Sequence, residues 1–172
     1  MKIMEQIHKV AELGMSTKDK QSNINVSEAF HLWNHLVWRY TVIQTTDTLS
    51  NYARDKDLKL IITSGIKALQ EQVEALEKEM LTYGIPLPIR PPKQMKQSEN
   101  IEIFTDRYIF RRILRGIQSF LPTHTAAFIH STSPKIRGLF MRSLFDEMKL
   151  YDQFLEYGKI KGYEDRPPVY KT

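Results

Sequence analysis

The sequence predicts an all-α fold in which four long helices form a bundle and one long connection crosses from the second helix to the third. Apolar residues recur at helical spacing in both halves of the chain, and no segment alternates as a strand would. A proline-rich segment, residues 83–92, separates the two helical pairs. The 172 residues suffice for one domain with a substantial core.

The proline-rich segment reads YGIPLPIRPP and supports a long crossover. Gly84 can adopt the left-handed conformation that ends a helix, and the prolines favour extended backbone. From Gly84 to about Ser98, at about 3.1 Å per residue, the chain can span roughly 40–45 Å, which is about the length of a long helix. A bundle with one such crossover is the ferritin-like arrangement.

Residues 1–25 are predicted to form a leader outside the bundle. Its first 13 residues favour a short amphipathic helix, and residues 14–25 read as a polar linker. The apolar side of this helix comprises Ile3, Ile7, Val10 and Leu13.

The bundle is predicted to occupy residues 26–163, and its first helix spans about 26–53, with Asn25 or Ser27 as the cap. Its apolar residues predict the inner face: Val26, Phe30, Trp33, Val37 and Tyr40, widened by Leu32, Leu36 and Ile43. The same rotation places Glu28, His31 and His35 on a polar side that faces solvent or a partner.

The second long helix is predicted over 56–83, with Asp55 as its cap. Its apolar residues repeat at alternating spacings of four and three, the pattern of helices packed near +20°. They are Ile62, Ile66, Leu69, Val73, Leu76, Met80 and Tyr83.

The third helix is predicted to start near Ser98 or Asn100 and to be kinked or broken at Pro122, with a second segment to about His130. Ser133-Pro134 then predicts the start of the fourth helix, which runs to about Gly158. Its inward residues are predicted to be Phe140, Met141, Leu144, Met148, Tyr151 and Leu155. Residues 164–172 are expected to be an extended tail.

Composition narrows the classes of function. With no cysteine, the chain has no disulfide, thiolate metal site or iron–sulfur cluster. No apolar run is long enough to span a membrane, and the N-terminus lacks a signal-peptide core, so we expect synthesis in the cytoplasm. The net charge of +5 permits acidic partners. A ridge of Arg107, Arg111 and Arg115 leaves nucleic-acid binding as a distant alternative to a solvated face.

Histidines and a carboxylate of the first long helix have the spacing of metal ligands. Glu28-Ala29-Phe30-His31 is a Glu-x-x-His motif, and His35 follows one turn later, so all three can share one helix face. The second and fourth helices carry no histidine, and a di-metal bundle needs a second such motif. We therefore assign no metal or other cofactor, with a divalent metal at Glu28, His31 and His35 as the alternative.

Two carboxylates lie on apolar seams, Asp106 beside Ile103 and Phe110, and Glu147 between Leu144 and Tyr151. A buried carboxylate is costly without a partner. We expect each to pair with an arginine of a neighbouring helix or with His124.

Several of these sequence motifs also resemble those of a known protein family. Glu28-x-x-x-Leu32-Trp33, Glu77 and the turn at residues 83–88 resemble the ferritin-like, spore-coat-F-related proteins of endospore-forming bacilli, over about residues 26–163. Many relatives carry two tandem bundles. The resemblance implies a ferritin-like fold and a setting in the spore coat, and it supplies no catalytic residues.

These observations predict a non-enzymatic structural or interaction protein, associated with the spore coat or with sporulation. The expected partners are a second copy, forming a dimer, and other coat proteins, with no membrane. The predicted contact surface is Trp38, Val42 and Tyr52 of the first long helix. The alternative is a metal-binding ferritin-like protein with a redox or storage role.

Overall fold

A computed structural model describes residues 2–92 and 102–164, and these residues form helices without any strand. The helices are α1 (Lys2–Ala11), α2 (Thr17–Gln21), α3 (Val26–Ser50), α4 (Lys56–Thr82), α5 (Asp106–His130) and α6 (Pro134–Lys161). The four long helices pack as a bundle, with α3 against α4 and α5, and α6 against α5 and α4. The predicted all-α bundle is confirmed. Among the described helices, none is long and apolar enough to cross a membrane.

Side-chain caps fix where three of the long helices start, as predicted. Asn25 and Glu28 form a reciprocal capping box at α3, Asp55 caps α4, and Ser133 caps α6 with Pro134 in the first turn. The predicted start of α5 was too early. Thr105 caps this helix by accepting a hydrogen bond from the Tyr108 amide, so the helix begins at Asp106.

Pro122 does not break α5. Of the kink or break predicted there, the break is absent, because the helix is continuous from Asp106 to His130. The proline removes one main-chain donor from the helix. Phe120 and His124 are buried on either side of it, so packing against the other helices holds the segment in the bundle.

The leader packs on the end of α4. It contains the short helix α2, where the sequence predicted only a linker; Ser16 and Asp19 form its capping box. Gln21 Nε2 donates to the Tyr83 carbonyl over 2.9 Å. Gly84 has the predicted positive φ of 64°, and a Cβ there would lie 2.8 Å from Thr17 Cγ2, so only glycine fits.

A buried carboxylate ties α1 to the bundle. Glu12 accepts hydrogen bonds from Tyr83 Oη and Lys135 Nζ, each over 2.9 Å. Lys135 also pairs with Glu79 over 2.8 Å. The apolar side predicted for the leader helix does not pack on the bundle. Its residues are exposed: Ile3, Ile7, Val10 and Leu13.

The described start of the crossover is held against the bundle. Arg90 pairs with Glu77, which also accepts from Tyr40 Oη, and the Arg90 guanidinium lies 5.4 Å from the centre of the Tyr40 ring. The remainder of the predicted strap, through Ser98 and Asn100, and the predicted tail from residue 165 lie outside the described residues.

The bundle core has two apolar clusters. The first cluster comprises Leu32, Leu36, Tyr40, Val73, Leu76, Met80, Tyr83, Ala127, Ile136, Leu139 and Phe140. The second comprises Leu49, Tyr52, Ala53, Leu58, Ile62, Ile109, Phe110, Ile117, Leu150, Phe154 and Tyr157. The predicted seam of α4 contributes to both clusters and is confirmed, with Ile66 packed at the edge of the second.

The inner faces of α3 and α6 differ from the prediction. Val26, Phe30 and Trp33 are 86%, 57% and 42% exposed. On α6, Met148 is half exposed. Polar side chains of both helices point inward instead, so apolar periodicity alone gave the wrong rotation about each helix axis.

Candidate functional site

Four buried polar side chains from three helices meet in the bundle. They are His35 and Arg39 of α3, His124 of α5 and Glu147 of α6, each at most 2% exposed. On α5 and α6 the polar residues lie between residues of the first and second apolar clusters, and on α3 they lie among Leu32, Leu36 and Tyr40 of the first cluster. We call this set the polar layer.

An ion pair organises the polar layer. Arg39 Nη2 donates to Glu147 Oε2 over 2.7 Å and to His124 Nε2 over 2.6 Å. The Arg39 guanidinium also lies 4.1 Å from the centre of the Phe120 ring, in a cation–π contact. The prediction that Glu147 pairs with an arginine of a neighbouring helix is confirmed.

The hydrogen bonds assign the charges. A guanidinium only donates, so His124 Nε2 accepts and the ring is neutral with its proton on Nδ1. Burial lowers the pKa of His124, which favours this form. Burial by itself raises the pKa of Glu147, but the Arg39 guanidinium, which donates to this carboxylate, outweighs it and lowers that pKa. The layer therefore holds one cation and one anion.

His35 is the second neutral histidine of the layer. Its Nδ1 lies 2.7 Å from the His31 carbonyl oxygen, so this nitrogen is the donor. Burial, with a further contribution from nearby His124, lowers the pKa of His35 to about 3. The ring packs on Phe140 with 4.7 Å between ring centres.

A second histidine pair, formed by His31 of α3 and His130 of α5, lies one helical turn from His35 and nearer the surface. His31 Nε2 and His130 Nδ1 are 3.0 Å apart, so one ring donates to the other. Burial and the neighbouring His130 lower the pKa of His31. Sequence reasoning weighed His31 and His35 but missed His130, because only the packing of α3 on α5 brings it there.

Glu28 joins the starts of two helices. Its Oε1 accepts from the Ser133 amide over 2.6 Å, and its Oε2 from the Asn25 amide over 2.7 Å. Thr132 Oγ1 lies 3.4 Å from Oε2. Glu28 is fully buried, so it is not the solvated residue that the sequence predicted.

These side chains do not fit the di-metal centre of ferritin-like proteins, which uses inward carboxylates with Glu-x-x-His motifs. The Glu28 carboxylate is occupied by main-chain amides. The Arg39 guanidinium, bound to Glu147, puts positive charge at the bundle centre. Within the described ranges, no three His, Asp or Glu side chains are grouped so as to hold an ion.

A cavity of about 320 Å³ adjoins the polar layer. Arg39 and Glu147 line it, and most of its other walls are apolar side chains of the second cluster and its surroundings. Trp38 also lines it and is half exposed, so the cavity reaches the surface between α3 and α5. Arg39 Nε and Nη1 are buried and make no hydrogen bond to any described residue.

The predicted contact surface is divided by the fold. Trp38 is 50% exposed and Val42 is half-buried, and both lie at the cavity. Tyr52 is only 9% exposed and packs on Phe104, with 4.7 Å between ring centres, because the chain turns inward after α3. Tyr52 is therefore a core residue in the monomer.

Two other predicted features lie on α5. Arg107, Arg111 and Arg115 are exposed, as a solvated ridge requires. Asp106 accepts hydrogen bonds from main-chain amides. Its carboxylate accepts from the main-chain amides of Arg54 and Asp55, over 2.7 and 3.1 Å, and so fixes the α3–α4 turn to α5.

Comparisons with known proteins agree with this fold. The family model described as "Protein of unknown function (DUF3231)" matches residues 13–172. A candidate spore coat protein of Bacillus halodurans C-125 superposes with a TM-score of 0.80 at 23% identity, covering 87% of this chain and 96% of that one.

A second solved structure is a two-domain protein of Anabaena variabilis ATCC 29413 with DJ-1/ThiJ/PfpI-like and ferritin-like domains. It gives a TM-score of 0.64 at 18% identity, over 92% of this chain and 42% of that one. No curated protein matches the sequence. The two structures support a ferritin-like fold, as predicted.

Proposed function

This chain belongs to the family described as "Protein of unknown function (DUF3231)", and from that premise we propose a non-enzymatic structural role. The protein assembles with a second copy of itself and, in a spore-forming cell, with other components of the spore coat.

The observation that carries this proposal is an apolar stripe on the outside of α3. It consists of Val26, Phe30 and Trp33, which follow one another at helical spacing and are 86%, 57% and 42% exposed. We call it the outer stripe. Grouped exposed aromatic and aliphatic side chains are typical of contact surfaces between proteins.

The interior supports the same role. Helix α3 buries Glu28, His35 and Arg39 alongside its leucines and exposes Phe30, Trp33 and Trp38, which is unusual for a helix of a soluble bundle. Among the described carboxylates, Glu28 and Glu147 are the most deeply buried, and both join one helix to another. A fold that exposes aromatic residues and uses its buried charges for internal ties suits an assembly component.

The setting in the coat rests on similarity. The superposed Bacillus halodurans structure is a candidate spore coat protein, and its length corresponds to that of a single bundle. We extend that setting to this chain as part of the proposal. The net charge of +5 also suits contact with acidic coat components.

Sedimentation velocity tests self-association. We expect a dimer for the natural chain and a monomer for Trp33→Glu, because a charge within the outer stripe is costly to bury without a partner. Gln44→Glu is the matched control, since it adds the same charge at an exposed position of the same helix and should leave the dimer intact. A natural chain that sediments as a monomer at all concentrations contradicts self-association.

Fractionation of spores tests the coat setting separately. Antibody against the chain should detect it in the coat extract of purified spores and not in the decoated core. Detection only in growing cells would contradict a coat role and leave the result on self-association unaffected.

A further inference from the structure

We propose that the cavity beside Arg39 is a binding site for a small, uncharged organic molecule with an apolar body and one hydrogen-bond acceptor, such as a ketone, ester or amide. This site is independent of the outer stripe, and it adds a ligand to the structural role proposed above.

The cavity has the size of a small-molecule site. Its volume is about 320 Å³, whereas an engineered apolar cavity of about 150 Å³ is enough to bind benzene. It falls near the lower end of the roughly 300–1,000 Å³ of ligand pockets. One ring with a short substituent, or a short branched chain, fits this volume.

The walls select an apolar body. Leu69 of α4, Ile117 of α5 and Leu150 and Phe154 of α6 line the cavity and are buried. Removing an apolar ligand from water onto these side chains is favourable without any specific bond.

Arg39 selects an acceptor. Arg39 lines the cavity, and its buried Nε and Nη1 make no hydrogen bond to a described residue, while Nη2 donates to Glu147 and His124. A buried donor without a partner is unfavourable, so a ligand that accepts from it gains affinity. A guanidinium cannot accept, so a ligand that only donates gains nothing.

Charge balance selects an uncharged ligand. The Arg39 charge is already neutralised by Glu147 at 2.7 Å, and the neighbouring histidines are neutral. A carboxylate beside Arg39 would be a second anion next to a cation that is already paired, which is strongly disfavoured. The other arginine of the lining, Arg112, is exposed on α5, so water largely screens its charge.

The way in runs between α3 and α5. Trp38 is half exposed at this edge, and Gly116 lines the cavity opposite it. A Cβ at Gly116 would meet no atom within 4 Å, so larger side chains at this position can enter the cavity without displacing the backbone.

Three probes of similar size and shape test the ligand class. They are acetophenone, a neutral acceptor; cumene, its hydrocarbon match; and benzoate, its anionic match. Isothermal calorimetry should detect acetophenone bound to the full chain, and tryptophan fluorescence of the Trp33→Phe variant, in which Trp38 is the remaining tryptophan, should report the same binding. Benzoate should bind about tenfold more weakly or worse. Absence of acetophenone binding, or equal binding of benzoate, overturns the proposal.

Substitution of Gly116 tests the location. Gly116→Leu should abolish binding of acetophenone and cumene, while Gly116→Ala should retain it, because alanine leaves most of the volume open. Both changes favour the helix, so loss of fold is not expected. If Gly116→Leu binds the probes as well as the natural chain does, the ligand is not in this cavity.

The double variant Arg39→Met, Glu147→Leu tests the role of the acceptor. It removes both charges together and keeps the apolar walls. The affinity of acetophenone relative to cumene should fall about tenfold, which corresponds to the loss of a hydrogen bond to a charged donor. An unchanged ratio would show that Arg39 does not select the ligand.

Discussion

The first apolar cluster and the polar layer stabilise the same bundle in different ways. The cluster consists of aliphatic and aromatic side chains such as Leu36, Met80 and Phe140. Its contribution grows with the area buried and depends little on direction. In the polar layer, Arg39 and Glu147 contribute only because their atoms meet at 2.7 Å, since desolvation of two charges offsets most of their attraction.

The difference separates stability from orientation. An apolar cluster tolerates small rotations of its helices, whereas a buried ion pair with a histidine acceptor does not. Because the layer draws on α3, α5 and α6, we infer that it fixes how these helices are turned toward each other. The clusters supply most of the stability around it.

The largest effect is expected where the layer loses one charge. Glu147→Leu leaves Arg39 buried without its anion and should lower the free energy of unfolding by about 3–5 kcal/mol. Urea unfolding of the purified chain measures this. Glu156→Leu, at an exposed site on the same helix, is the control and should change the value by less than about 0.5 kcal/mol. A loss for Glu147→Leu as small as that of the control would contradict a specific role for the layer.

A large-to-small substitution in the first cluster measures the corresponding contribution of apolar burial to the free energy of unfolding. Leu36 is fully buried, and Leu36→Ala should lower the free energy of unfolding by about 3 kcal/mol through lost burial and an unfilled space. Leu81→Ala, at a residue that is 61% exposed, is the control for the loss of the same atoms. Equal losses for the two variants would mean that the cluster is not the apolar core of this half.

Acid should lower the free energy of unfolding through the polar layer and not through the apolar clusters. The pKa of His35 is lowered to about 3 in the fold, against about 6.5 in the unfolded chain. Between these values the unfolded state binds more protons. The stability is therefore complete above about pH 6.5 and decreases as the pH falls toward 3, by up to about 1.4 kcal/mol per pH unit.

Urea unfolding over this pH range, for the natural chain and His35→Gln, measures that dependence. The variant should show a shallower slope because its side chain does not titrate. Parallel curves for the two proteins would mean that His35 is not the group responsible.

The smallest effect is expected from metal ions. After anaerobic loading with Fe(II) or Zn(II) and desalting, elemental analysis should find well below about one ion per chain, because Glu28 and Glu147 are already bound to protein donors. Roughly one or two retained ions, lost in His31→Ala, would instead identify His31 and the neighbouring histidines as a metal-binding site.

The sequence predicted those parts of the bundle that follow apolar periodicity. The seam of α4, the caps at Asn25, Asp55 and Ser133, and the turn at Gly84 depend on local rules, and the structure confirms them. Each needs only neighbouring residues for its explanation.

The inner faces of α3 and α6 could not be found in that way. A lone Arg39 on a helix is normally a surface residue, and it becomes a core residue only when Glu147 and His124 of two other helices reach it. The sequence indicated that Glu147 needs a partner. Which arginine it is, and that a cavity opens beside it, depends on interhelical packing that no single segment contains.

The hydrogen bonds of Glu12 can form only after later parts of the chain have been synthesised. Its two hydrogen-bond partners follow 71 and 123 residues later along the chain. At the roughly 5–20 residues per second of synthesis, the second partner leaves the ribosome roughly 6–25 s after Glu12. The leader is thus made well before Lys135, and its contact with Lys135 can form only after the start of α6 has been synthesised.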